Sequence, residues 1–187
     1  MGGSKALAGE EGLDDEAAKR RGRQIHKLLE VLPRVSRQEW PSTAASLLER
    51  GPDQAEGREL ELLLSEVVNV LEKPCLADLF SRDALTEVAV TAPIYDEAMR
   101  GHGTIDRLLI RSDHVLAVDF KTNAMVPDRV TDVPDGLLRQ MGAYSEMLGA
   151  IYPRKSVRTS LLWTRTATLM PLPHDMVRAA LREAPPP

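Results

Sequence analysis

Three residues near the middle of the chain carry most of the chemical information. Asp106 ends the stretch Gly103-Thr104-Ile105-Asp106, and Asp119 and Lys121 stand two apart in Val118-Asp119-Phe120-Lys121. Side chains alternate faces along a strand, so Asp119 and Lys121 share one face while Val118 and Phe120 take the other. Ser112-Asp113, between the two stretches, is a compact polar connection of the kind that closes a hairpin. With a two-residue loop there, position 106 lies directly opposite position 119, and the two aspartates become cross-strand neighbours with Cβ atoms about 4.5–5.5 Å apart. A different loop length would shift that register. Two carboxylates this close destabilise the fold unless neutralised, and Lys121 supplies only part of the compensation. A divalent cation is the usual remedy, and carboxylates, waters and a phosphate oxygen suit Mg²⁺, with Mn²⁺ as a substitute. The alternative reading of Asp119 and Lys121 is an ordinary ion pair on a hairpin surface.

The elements that must position these groups follow from the periodicity. Apolar or small residues at 18, 22, 25, 29 and 32 predict a first amphipathic helix over 17–32, stopped by Pro33. A short helix through Leu48 is expected after Trp40-Pro41, capped by Ser42 or Thr43, and an apolar helix over 59–72 precedes Pro74. Strand-like segments start at Leu85, over 103–111 and over 114–121, and together predict an antiparallel meander. A helix over 135–151 with Asp135 as its cap, a strand over 157–163, a short strand over 167–170 and a closing helix over 173–183 complete an α/β pattern without internal repeats. Residues 1–14 read as a tag and flexible segment, 15–184 as one domain and 185–187 as a tail.

Composition narrows the function classes. A chain of 187 residues with 43% hydrophobic and 28% charged residues is ordinary globular material. No apolar run approaches the roughly 18 residues of a membrane span, and no membrane partner is expected. Cys75 is the one cysteine, which excludes an intrachain disulfide and four-cysteine metal sites and favours a reducing, cytoplasmic location. The formal net charge of -4 is the wrong sign for holding nucleic acid by bulk charge. No GxxxxGK[ST] stretch exists, so a P-loop ATP site is excluded. His102, His114 and His174 have no partner at ligand spacing and are read as surface or loop residues.

Asp106 followed by Asp119-Phe120-Lys121 on consecutive strands resembles the signature of the PD-(D/E)XK nucleases, in their RecB-like branch. Gly22-Arg23-Gln24-Ile25-His26 in the first helix, Glu87 at the first strand and Gln140-Met141-Gly142-Ala143-Tyr144 in the helix after the meander match the same branch. The likeness is greatest to the C-terminal nuclease domain of AddA-type helicase-nuclease subunits, over about residues 15 to 175. The residues before Asp106, Thr104-Ile105, lack the proline of the family's name.

The resemblance implies a restriction-endonuclease-like core, a mixed central sheet with an antiparallel meander flanked by helices. It also implies a metal-dependent DNA exonuclease domain of a bacterial double-strand-break repair machine. That domain would hydrolyse phosphodiester bonds in single strands delivered by helicase domains of the same parent chain, which would also supply ATP use, beside a second repair-complex subunit. Asp106 and Asp119 would be metal ligands with His26, and Lys121 would orient the attacking water. Glu87 would support the site through Lys121 or water, the other reading being a solvated glutamate at a strand end. Gln140 and Tyr144, four apart on one helix face, would line the DNA-facing side, although a plainly packed tyrosine is the other reading of Tyr144. Arg20, Arg21, Arg23 and Lys27 near the first helix, and Arg154, Lys155 and Arg158 before the fourth strand, are candidates for DNA contact or solvated faces. The functional alternative is a non-catalytic module of this fold that binds DNA or a partner subunit.

Overall fold

A computed structural model describes the backbone of residues 5–94 and 96–183 and the side chains of residues 15–94 and 100–183. Five strands, β1 (Leu85–Ile94), β2 (Asp96–Ile110), β3 (His114–Lys121), β4 (Ser156–Trp163) and β5 (Thr168–Leu172), form one sheet in chain order. β1, β2 and β3 pair antiparallel as the expected meander. β4 joins β3 in parallel, with His114 opposite Ser156 and Lys121 opposite Trp163, and β5 returns antiparallel. A parallel neighbour needs a crossover, and helix α4 (Asp135–Ile151) supplies it between Pro134 and Pro153.

Alternation along β3 separates two cores. Val118 and Phe120 pack with Ile25, Leu28, Leu29 and Leu32 of helix α1 (Lys5–Val31), with α2 (Trp40–Leu47) and with α3 (Gly57–Leu71). Val115 and Ala117, on the opposite face, pack with Met141, Tyr144 and Leu148 of α4 and Val177 of α5 (His174–Arg182). The result is a sheet covered by helices on both faces. Each fully buried leucine of the α1 stripe contributes about 1.5–3 kcal/mol by leaving water, which fixes α1 across the sheet.

Several local expectations need correction. α1 begins at Lys5 rather than 17, because the segment expected to be a flexible approach is rich in Ala, Leu and Glu, good helix formers with no proline among them. Pro41 does not restart the chain but occupies the first turn of α2, where its missing N–H costs nothing. The capping box lies upstream, where Ser36 and Glu39 satisfy each other's orphan groups. Asp135 stands inside the first turn of α4, and Pro134 holds the cap position. β2 starts at Asp96, earlier than position 103, because it follows β1 along its full length.

Candidate active site

The β2–β3 hairpin has the expected two-residue loop, since the Arg111 N–H donates to the His114 carbonyl at 2.8 Å. From there the register runs through Ile110 opposite Val115 to Arg107 opposite Val118, the same register that sets 106 against 119. Ladder pairing stops at Arg107, although β3 continues to Lys121. Ile105 and Leu108, three apart, both join the α4-side core, so alternation breaks at Asp106. The two aspartates therefore do not form a plain cross-strand pair on one face. Asp106 turns its carboxylate toward β3, where Oδ2 accepts the Phe120 N–H at 2.5 Å, replacing the missing ladder bond with a side chain.

The other oxygen of Asp106 meets α1. His26 Nδ1 lies 3.1 Å from Asp106 Oδ1, and the imidazole stands edge-on to the Phe120 ring at 5.6 Å between centroids. Across β1, Glu87 occupies the position opposite Asp106 and is likewise missing from the ladder. Its φ is 50°, a left-handed conformation that costs a non-glycine residue of order 1–3 kcal/mol. His26, Glu87 and Asp106 each offer a ligand atom, and the three atoms lie within 4.8 Å of one another. Residue type carries no signal for a left-handed glutamate in a strand, and the structure places Glu87 with His26 and Asp106 rather than beside Lys121.

Asp119 and Lys121 share a face as expected. Lys121 Nζ lies 2.6 Å from Asp119 Oδ2. Gln140 of α4 ties the pair together, its amide donating to Asp119 Oδ1 at 3.1 Å and its carbonyl accepting from Lys121 Nζ at 3.2 Å. The same amide contacts the Tyr144 hydroxyl at 3.1 Å, and that hydroxyl donates to the Thr104 carbonyl at 2.7 Å. Tyr144 is 5% exposed and sits within the core. A Cβ on Gly103 would approach its ring to 2.7 Å, so the glycine makes room for it. Tyr144 is packed in the core and orients Gln140.

The electrostatics show an acid cluster short of positive charge. Burial, then the neighbouring Asp106 charge, push the Asp119 carboxyl above its ordinary range against the pull of Lys121. Burial and Asp106 push Glu87 up in the same way. At His26 burial opposes protonation, but the hydrogen bond and charge of Asp106 prevail and raise its pKa. One histidine nitrogen and carboxylate oxygens, mutually repelling and partly dehydrated, form a donor set that fits a hard or borderline divalent ion. Asp119 reaches such an ion only beside the Lys121 contact it already makes.

A cleft of about 720 Å³ opens onto these groups. His26, Asp106, Asp119, Lys121 and Gln140 line it, and Lys19, Arg21 and Arg165 line it too. Arg21 is tied to Glu66, whose other oxygen accepts the Thr164 hydroxyl at 2.6 Å, so α1, α3 and the end of β4 are joined at the rim. Of the basic residues singled out in the sequence, Arg21 lines the cleft and the others do not. Arg23 pairs with Asp53 at 2.7 Å, Lys27 donates to the Leu47 carbonyl at 2.9 Å, and Arg20 pairs with Glu59 at 2.8 Å. Lys155 donates to the Ser112 carbonyl at 2.9 Å, and with Arg154 and Arg158 it belongs to the hairpin end of the sheet, away from the cleft. Lys19 and Arg165 were missed because only the fold brings them to the rim. His102, His114 and His174 stay outside the cation cluster among the described residues, and Cys75 is a free, exposed thiol.

A five-strand mixed sheet between helical layers, with acids, an amine and a histidine gathered where its β-ribbon parts, defines a restriction-endonuclease-like protein. The chain belongs to the PD-(D/E)XK nuclease superfamily, whose family model matches residues 5–181. Comparison with curated proteins found no match. Members of this superfamily are typically nucleases that use divalent metals. Among the described residues, no helix is long and apolar enough to cross a membrane.

Proposed function

We propose that this domain is a Mg²⁺-dependent deoxyribonuclease that acts as an exonuclease on single strands delivered by helicase domains of its parent chain, in AddA-type double-strand-break repair. The observation that carries the reading is the convergence of His26, Glu87 and Asp106, with His26 and Asp106 lining the same cleft as the Asp119–Lys121 pair. A divalent ion held by His26, Glu87 and Asp106, with Asp119 as a further ligand, would polarise a phosphate oxygen and lower the pKa of a bound water.

The chain's own groups do the rest. Lys121 offsets charge that develops on the scissile phosphate and orients the attacking water, a role in which one positioned donor is worth about 10²–10³ in rate. Gln140 holds Asp119 and Lys121 in a fixed relation, and Tyr144 fixes Gln140. Arg165 at the rim gives the backbone a local cationic contact, beside Lys19 and Arg21, which are paired with Asp15 and Glu66. With a net charge of -4 there is little non-specific attraction for DNA, which suits a substrate brought by a neighbouring domain.

The test uses end-labelled single- and double-stranded oligonucleotides with Mg²⁺, Mn²⁺ or EDTA. Shortening of the single strand with metal, none with EDTA and none in Asp119→Asn are expected. Wild type that retards the oligonucleotide on a gel yet leaves it intact with either metal would replace this reading with the binding-module alternative.

A further inference from the structure

A second groove, of about 780 Å³, adjoins the acid cluster and shares no lining residue with the cleft. Glu30 in its wall lies one helical turn beyond His26, about 6 Å along α1. Thr86 and Val88 flank Glu87, and Arg107 follows Asp106 in the chain. The cleft is lined by His26 and Asp106 themselves and the groove by chain neighbours of Glu87 and Asp106, so the cluster lies between the two.

Its chemistry is cationic. Arg107 is 3% exposed, and its guanidinium lies 5.1 Å from the centre of the Phe80 ring and 6.0 Å from that of Phe120. One terminal nitrogen donates to the Leu29 carbonyl at 2.5 Å, while Nε has no hydrogen-bond partner. Burial, with the charge of Arg34, lowers its pKa to about 10. A dehydrated guanidinium without a paired anion is costly. Arg34, which reaches Thr86 Oγ1 at 2.7 Å, and Arg82 also line the groove. Arg82 is exposed and makes no ion pair or hydrogen bond among the described residues. Against these three guanidinium groups stands one lining carboxylate, Glu30. Arginine forks match the oxygens of a phosphate, and its weak hydration suits a recessed site.

We propose that this groove is a second backbone subsite, in which Arg34, Arg82 and Arg107 hold a neighbouring phosphate of the DNA strand whose scissile bond lies at the acid cluster. The assignment rests on the nuclease reading for its substrate, and adds to it a path: the strand enters along the cleft, passes His26, Glu87 and Asp106, and continues into the groove.

Fluorescence anisotropy of a labelled oligo-dT in EDTA tests it, with the whole chain, a salt series, and cleavage with Mn²⁺ measured in parallel. The double variant Arg34→Ala/Arg82→Ala is expected to bind about tenfold more weakly, with the salt slope reduced by roughly one. Arg154→Ala, at the hairpin end, is expected to match wild type. Arg107→Met extends the test, and the exposed pair suffices should that variant fail to fold. A double variant with wild-type affinity and slope overturns the subsite, as does a wild-type chain with no measurable affinity. A chain that binds through these arginines but cuts nothing sustains the groove while removing the nuclease reading.

Discussion

The two ends of the β2–β3 ribbon are built from the same two strands and behave differently. At the hairpin end the ladder is regular, Ile110 faces Val115, and a two-residue turn closes it. At the other end the ladder stops, Asp106 substitutes its carboxylate for a backbone acceptor, and Glu87 on the neighbouring strand is forced to φ 50°. Regular pairing consumes backbone groups and points side chains alternately up and down. Only where pairing lapses can Asp106 and Glu87 turn within the sheet toward His26. Left-handed strain and buried acids lie at the end where the family's chemistry belongs, and among the described residues the hairpin end has neither.

The sharpest test of this contrast pairs one change at each end. Leu109→Ala, in the regular part, is expected to lower stability by about 2–5 kcal/mol and leave single-turnover cleavage below the melting range near wild type, because Leu109 is buried in the α1-side core. Lys121→Ala is expected to lower cleavage by about 10²–10³ with a smaller change in urea midpoint. Equal loss of activity in both variants would break the division between a scaffold end and a chemical end.

Asp106 belongs to both, and two substitutions separate its roles. Asp106→Ala leaves the buried Phe120 N–H without an acceptor and should cost about 1–3 kcal/mol. Asp106→Asn can keep an oxygen toward that N–H and should recover most of the loss. Calorimetric titration is expected to show Mn²⁺ binding lost in both. If Asn is as unstable as Ala, the bond to Phe120 is not what holds β2 to β3 at this point.

The regular end was legible in the sequence and the irregular end only in part. Ser112-Asp113 and the alternation after His114 specify a hairpin and its register, and prolines 134 and 153 bracket α4. The residues that gather at the site could be listed, since acids, an amine and a histidine stand out by type. Their arrangement could not. Alternation places Asp106 and Asp119 on one face, whereas the backbone frees Asp106 to turn. Nothing in the residue type of Glu87 signals a left-handed φ. The burial of Tyr144 depends on Gly103, forty-one positions away in the chain. Arg23 and Lys27 look like free cations until Asp53 and the Leu47 carbonyl arrive beside them. These outcomes are tertiary, and local pattern carries no trace of them.

The smallest expected effect bears on the strained strand itself. In the metal-free protein Glu87 and Asp119 have raised pKa values, first through burial and then through the charge of Asp106. At His26 the Asp106 contact outweighs burial in the same direction. The folded chain therefore binds more protons at these sites than the unfolded chain does, and its stability falls as pH rises. The carboxyl contributions are full below about 4 and fade as pH climbs through their raised folded values. That of His26 is full below about 6.5 and fades above it. Glu87→Gly removes one of the repelling carboxylates and gives φ 50° to a residue that adopts it freely, so in EDTA near neutral pH it should gain about 1 kcal/mol. Its urea midpoints at pH 5.5 and 8 should lie closer together than those of wild type, while Mn²⁺ affinity drops. A glycine variant less stable than wild type at pH 8 would mean that the left-handed glutamate relieves the site instead of burdening it, and the contrast between the two ends of the ribbon would lose its energetic basis.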